Sequence, residues 1–147
     1  MTTLIVDANV IVSAILGKSL PLVAATLGKG FELLAPAPQL AEAAHVLAKR
    51  GLHPDEVERG LAAVREFVGT LPLERFSPSE SSARQRLHAR GQPDWPVLAA
   101  ALELLAAIWS NDKDFRGVGV AVWSTRNVPF AEPRQPARVG RSGELIR

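Results

Sequence analysis

Apolar and polar positions fall in alternating blocks along this chain. Thr3-Leu4-Ile5-Val6 is a short apolar run that stops at Asp7, the pattern of a central strand buried on both faces. Residues 10–16 and 20–27 read as helices, broken at Gly17 and closed by Gly28 and Gly30. Residues 31–34 form a second strand pattern before the turn Pro36-Ala37-Pro38. Over residues 39–50, Leu40, Ala43, Ala44 and Leu47 recur at the i, i+3, i+4, i+7 spacing of one helix face, and Gly51 ends the run. Pro54 and Asp55 open a further helix through Val57, Leu61, Val64 and Val68, and Leu71-Pro72-Leu73 is a strand candidate weakened by its proline. A helix start at Ser77-Pro78-Ser79-Glu80 leads into a basic stretch with Arg84, Arg86 and Arg90. Asp94 precedes Trp95-Pro96 and an alanine- and leucine-rich helix reaching Ala107. Residues 108–110 and 118–123 are the last two strand candidates.

Strands alternating with helices predict an α/β domain, a mostly parallel sheet with helices on both faces. At 147 residues and 47% hydrophobic content the chain suffices for one such domain, assigned to residues 1–125. Residues 126–147, with Pro129, Pro133 and Pro136 among arginines, lack an apolar face and are expected to form an extended Arg/Pro-rich tail. Five arginines there outweigh two glutamates, so the tail carries +3 and the body −1 of the net +2. A basic tail on a near-neutral body permits phosphate contact without requiring it. The absence of cysteine excludes disulfides, zinc–thiolate sites and thiol nucleophiles, which leaves oxygen or imidazole ligands for any metal. Asp7 interrupts the first apolar run, and no other stretch nears the roughly 20 apolar residues of a membrane span. A soluble, cytoplasmic protein without a membrane partner is expected.

In open α/β sheets, ligands bind beyond the carboxyl ends of the strands. Asp7 ends the first strand and Asp112 follows the strand at residues 108–110, so parallel central strands would bring both acids to that edge. Asp94 would arrive from the N-terminus of a helix, and Glu42 lies off the core stripe of its own helix, free to face a cleft. Carboxylates held close repel one another, and a hard divalent cation such as Mg²⁺ or Mn²⁺, which prefers oxygen ligands, offsets this. Such ions activate water and neutralise a phosphodiester. Each residue also has a plainer role open to it: Asp94 as helix N-cap, Asp112 and Asp114 as a polar turn around Lys113, Glu42 as a solvated helix residue. Asp7 is the hardest to explain away, because an acid directly after a buried strand must be paired, capped or coordinated.

Four segments together resemble the PIN-domain ribonucleases, in particular the VapC-like toxins of toxin–antitoxin pairs. They are Ile5-Val6-Asp7-Ala8-Asn9-Val10 with Ser13, Leu40-Ala41-Glu42, Pro93-Asp94-Trp95-Pro96-Val97-Leu98-Ala99, and Trp109-Ser110-Asn111-Asp112-Lys113-Asp114-Phe115. Their order and spacing match nearly to Trp123. The resemblance implies a three-layer α/β/α domain in which Asp7, Glu42, Asp94 and Asp112 form the acidic site, with Asp7, Asp94 and Asp112 on the metal. Asn9 and Ser110 would then be accessory polar residues and Asp114 an accessory acid. It further implies cleavage of RNA with Mg²⁺ or Mn²⁺, a homodimer, and silencing by an antitoxin protein. Two departures stand out: Gly91-Gln92-Pro93-Asp94 carries one acid where relatives often have several, and the chain runs past the usual end.

Other chemistries fit less well. Asp7-Ala8-Asn9 invites comparison with haloacid-dehalogenase-type phosphatases, but Asn9 stands where their second acid belongs. Glu42 and His45 have the i, i+3 spacing of a di-iron motif without the second pair that motif needs. There is no phosphate-binding G-x-x-x-x-G-K-[ST] loop. Arg84, Arg86 and Arg90 suit an RNA path, yet a solvated helix face explains them more simply, so the RNA-binding residues stay unassigned. Trp95, Trp109 and Trp123 read as core or cleft-edge packing, and His53 and His88 as surface residues. The expected activity is a metal-dependent endoribonuclease; the competing class is a non-catalytic module of the same fold that binds RNA or protein.

Overall fold

The computed structural model describes residues 2–134 and the backbone of two short strands, Arg138–Val139 and Leu145–Ile146. Five parallel strands make one sheet: β1 (Thr2–Val6), β2 (Phe31–Pro36), β3 (Gly69–Leu71), β4 (Ala107–Trp109) and β5 (Val122–Trp123), in the order β3-β2-β1-β4-β5. The expected α/β class, with its parallel sheet, is what forms. β1 sits at the centre, with Leu4 opposite Leu33 and Ala107, and Ile5 opposite Leu34 and Ile108. Its side chains alternate between two cores: Leu4 and Val6 enter one and Ile5 the other. This two-sided burial is why the strand is apolar throughout.

The first core is covered by α1 (Ala8–Ile15), α2 (Leu20–Gly28), α3 (Ala37–Lys49) and α4 (Pro54–Arg65), through residues such as Ile11, Val23, Leu47 and Leu61. The second is covered by α5 (Glu80–Arg86) and α6 (Trp95–Leu104), through Ala83, Val97, Leu98 and Ala101. Each fully buried Leu, Ile or Val contributes about 1.5–3 kcal/mol. The helix layer is close-packed: a Cβ on Gly60 of α4 would lie 2.5 Å from Cγ2 of Ile15 on α1. No single helix among the described residues is long and apolar enough to cross a membrane.

Several boundaries differ from the sequence expectation. β3 pairs over Gly69–Leu71, upstream of the residues expected, because Pro72 has no N–H to offer a ladder. α6 stops at Leu104, where Leu105 adopts a left-handed conformation (φ 51°), and the following strand begins at Ala107. β5 keeps only Val122–Trp123, since Gly117 and Gly119 take positive φ and turn the chain before it. Part of the segment expected to extend away from Asn127 instead packs on the body. Val128 and Ala131 are buried in the first core, and the Lys29 ammonium donates to the carbonyls of Pro129 and Ala131 at 2.7 Å each. The arginines of the final residues lie outside the described side chains; Arg138–Val139 and Leu145–Ile146 pair antiparallel.

The sheet order decides where chemistry can occur. After β1 the chain moves outward on one side to β2 and β3, then crosses to β4 and β5 on the other. The connections leaving β1 and β4 therefore diverge, opening a crevice at their carboxyl ends.

Candidate metal centre

Asp7 leaves β1 at that crevice. The Val10 and Ile11 amides donate to its backbone carbonyl at 3.1 and 3.3 Å, and its side chain caps α1, with Oδ1 accepting from the Ala8 amide at 2.7 Å. Oδ2 accepts from the Ser110 hydroxyl at 2.5 Å and from Asn9 Nδ2 at 3.0 Å. Asp7 is thus buried, 3% exposed, with both oxygens engaged. Burial raises its pKa from 3.8 to about 6, the charges of Asp112 and Glu42 push the same way, and the bonds from Ser110 and the Ala8 amide oppose the rise.

Asp112 follows β4 and is oriented by the same serine. Its amide donates to Ser110 Oγ at 3.0 Å, and its Oδ1 accepts from the Asp114 amide at 2.9 Å, which starts the 3₁₀ turn Lys113–Phe115. Ser110 therefore links the two strand ends, donating to one acid and accepting from the backbone of the other. Asn9 reinforces the link, because the Asn111 amide donates to its Oδ1 at 3.3 Å. Asn111 in turn exchanges hydrogen bonds with Thr125, accepting from its amide at 2.7 Å, so the loop after β5 braces the loop after β4.

The other two acids come from helices. Asp94 sits at the N-terminus of α6 but makes no side-chain capping bond, so capping does not account for it. Burial is the main reason its pKa rises to about 7, followed by the charges of Asp7 and Asp112, a hydrogen bond with the Asp112 carboxyl, and Glu42. Glu42, exposed on α3, faces the same space. Asp7, Glu42, Asp94 and Asp112 all line one cavity of about 240 Å³ together with Ala8, Asn9, Val12, Val46 and Arg50. Asp114 stands just beyond: carboxylate oxygens of Asp94, Asp112 and Asp114 lie within 4.8 Å of one another. This trio holds two members of the expected metal set, Asp94 and Asp112, together with the expected accessory acid Asp114 and without Asp7. Arg90 donates to Asp114 Oδ1 at 3.2 and 3.3 Å.

The donor set is suited to a hard divalent cation. The candidate ligands are carboxylates, several are close, and two hold protons more tightly than free aspartate, so a cation would relieve a repulsion the fold has built in. Two contributors carried no signal in the sequence. Gln39, fully buried on α3, accepts from the Ala8 amide at 3.1 Å and thereby fixes the start of α1 against α3. Arg50, at the C-terminal end of α3, is the only basic residue on the cavity wall among the described residues.

The three arginines weighed as an RNA path have protein partners. Arg84 pairs with Glu80 at 2.8 Å and lies 5.3 Å over the ring of Trp95, Arg86 donates to the Val118 carbonyl at 3.0 Å, and Arg90 holds Asp114. Trp109 is fully buried and Trp95 and Trp123 partly so, as packing residues should be. His53 does more than occupy the surface: its Nδ1 accepts from the Asp55 amide and caps α4.

A parallel α/β domain with an acid-lined crevice at its topological switch defines the class. The chain belongs to the PIN domain family, whose model matches residues 5–132. Among solved structures it is similar to VapBC2 from Rickettsia felis bound to a DNA fragment from their promoter, with a TM-score of 0.64 and 14% identity over 84% of this chain and 98% of that one. It is also similar to VapBC-1 from nontypeable Haemophilus influenzae, with a TM-score of 0.65 and 18% identity over 85% and 99% of the two chains. At these identities the likeness is one of fold. No curated protein sequence matches the chain.

Proposed function

We propose that this PIN-domain protein is a Mg²⁺- or Mn²⁺-dependent endoribonuclease and the toxin of a toxin–antitoxin pair. The observation that carries the reading is the convergence of Asp7, Glu42, Asp94 and Asp112 on one small cavity at the sheet's switch point. Asp7, Asp94 and Asp112 would hold the cation, with Glu42 on the facing helix and Asp114 beside the pair Asp94 and Asp112. A bound cation supplies a water of lowered pKa and neutralises charge on the phosphodiester. The chain's own contribution is positional. Ser110, after β4, and Asn9, on α1, hold one oxygen of Asp7, the Ala8 amide holds the other, and the Asp114 amide fixes Asp112. Among the described residues no protein N–H or hydroxyl reaches Asp94 or Glu42, which leaves their oxygens available to a cation or to its waters. Membership of the PIN domain family and the fold shared with the two VapBC structures support the toxin role, with an antitoxin protein as partner. The protein would act in the cytoplasm as a homodimer.

Purified protein should cleave single-stranded RNA with Mn²⁺, lose the activity in EDTA, and lose it in Asp112→Asn while keeping its far-UV circular dichroism. Calorimetric titration should show Mn²⁺ saturating at a low metal-to-protein ratio. An intact protein that binds no Mn²⁺ and cuts no RNA would instead be a binding module. The toxin role requires growth arrest on expression, reversed by co-expressing a small neighbouring open reading frame.

A further inference from the structure

Glu42, Val46 and Arg50 stand at i, i+4 and i+8 on α3, and all three line the acidic cavity. One stripe of this helix thus runs from an acid, across an apolar side chain, to a cation, with Val12 of α1 also on the wall. At 1.5 Å per residue the ends of that stripe are about 12 Å apart along the axis. Arg50 is exposed, and although the cavity's other charged residues are all carboxylates, it forms no ion pair within 4.0 Å among the described residues. Helix-end electrostatics do not single it out, because the adjacent Lys49 already supplies a cation in the last turn of α3. An exposed arginine on the wall of an acid-lined cleft, in no ion pair within 4.0 Å among the described residues, is placed for an anion that enters with the substrate.

We infer that Arg50 binds a backbone phosphate flanking the one that is cut, so that the RNA strand crosses the cleft with the sugar and base between these phosphates over Val12 and Val46. The inference rests on the ribonuclease reading above. The scissile phosphate belongs among the carboxylates and their cation; Arg50, clear of those carboxylates, takes a neighbouring phosphate. A guanidinium offers a planar pair of donors to two phosphate oxygens and imposes no demand on the base. Arg50 therefore contributes substrate grip and register, whereas the acids contribute the chemistry.

The test compares Arg50→Ala, Arg50→Lys and Lys49→Ala with wild type on a single-stranded oligoribonucleotide and on a dinucleotide with a single phosphodiester, both with Mn²⁺. For the oligonucleotide, Arg50→Ala should raise KM about tenfold with kcat unchanged. It should also flatten the salt dependence of log KM by about 0.7, the value of one phosphate contact on a single strand. The dinucleotide should be cut equally well by both proteins, Arg50→Lys should recover the salt slope, and Lys49→Ala should match wild type throughout. An Arg50→Ala protein with wild-type KM and salt slope on the oligonucleotide overturns the inference and leaves the ribonuclease reading standing. So does an equal loss on both substrates through kcat, which would put Arg50 among the reacting groups. A wild-type protein that cuts neither substrate overturns both.

Discussion

The two acids that follow strands and the two carried by helices are held in opposite ways. Asp7 receives three hydrogen bonds from protein donors, and Asp112 is fixed through its own amide and through the Asp114 amide. Asp94 and Glu42 receive none from any N–H or hydroxyl of the described residues, and Asp94 hydrogen-bonds only to another carboxyl. The strand half is preorganised whether or not anything is bound. The helix half is brought near by packing and left electrostatically unsatisfied. In a divided site of this kind one rigid wall would set the position of a cation, and the charge of the other would be free to respond to it.

The largest effect should come from the rigid wall. Asp7→Asn keeps the size of the side chain but removes the charge at the point where β1 meets the cavity. RNA cleavage with Mn²⁺ should fall by about 10³-fold or more, while far-UV circular dichroism stays that of wild type. Retained cleavage would make the most tightly held acid dispensable and leave the rigid wall without a role in the chemistry.

Ser110→Ala should have a smaller effect of a different kind. Ser110 touches no cavity wall; it donates to Asp7 at 2.5 Å and accepts from the Asp112 amide at 3.0 Å, tying the two strand ends together. Losing an orienting partner of this type costs about 10–100-fold in metal affinity or activity. The loss should appear as a higher Mn²⁺ concentration for half-maximal cleavage, and Ser110→Thr, which keeps the hydroxyl, should restore much of it. A Ser110→Ala protein with unchanged Mn²⁺ dependence would show that the acids do not need this link.

The same division separates what was legible in the sequence from what was not. Asp7 and Asp112 could be read because a short apolar run ending in an acid has few alternatives once the run is buried on both faces. Asp94 could not be resolved on physical grounds, since an acid before Trp95-Pro96 serves equally well as a cap. Only the side-chain geometry, which makes no capping bond, removes that option. Gln39 was invisible because its partner, the Ala8 amide, is distant in the chain and a polar residue at the start of a helix is unremarkable in a pattern of apolar positions. In the sequence Arg50 marks only the end of its helix, and its place on the cleft depends on how α3 packs against α1. Val128 and Ala131 were hidden among prolines that break any period, although a lysine a hundred residues away holds their turn. Sheet class and the strand-end acids follow from local pattern; caps, braces and cleft walls are set by contacts between elements.

The subtlest expected effect is on stability, and its sign follows from the two raised carboxyls. The native state holds a proton on Asp7 up to about pH 6 and on Asp94 up to about pH 7, whereas the unfolded chain releases both near the ordinary aspartate value of 3.8. Between about pH 4 and 7 the folded state therefore binds more protons, so stability contributed by these groups is greatest at the acid end and falls as pH rises. For buried Asp7 the rise from 3.8 to about 6 corresponds to a destabilisation of about 3 kcal/mol once it ionises, at 1.36 kcal/mol per unit of pKa. Metal-free protein should consequently melt several degrees lower at pH 8 than at pH 5, and saturating Mn²⁺ at pH 8 should recover the loss by binding the ionised form. Asp7→Asn, whose neutral amide has no proton to lose, should remove the part of this dependence that Asp7 contributes between about pH 4 and 6, and, because the Asp7 charge helps to raise Asp94, should also move the Asp94 part to lower pH. Melting temperatures in EDTA across this range distinguish the walls: an unaltered profile in Asp7→Asn would mean that the stored repulsion resides wholly on the helix side.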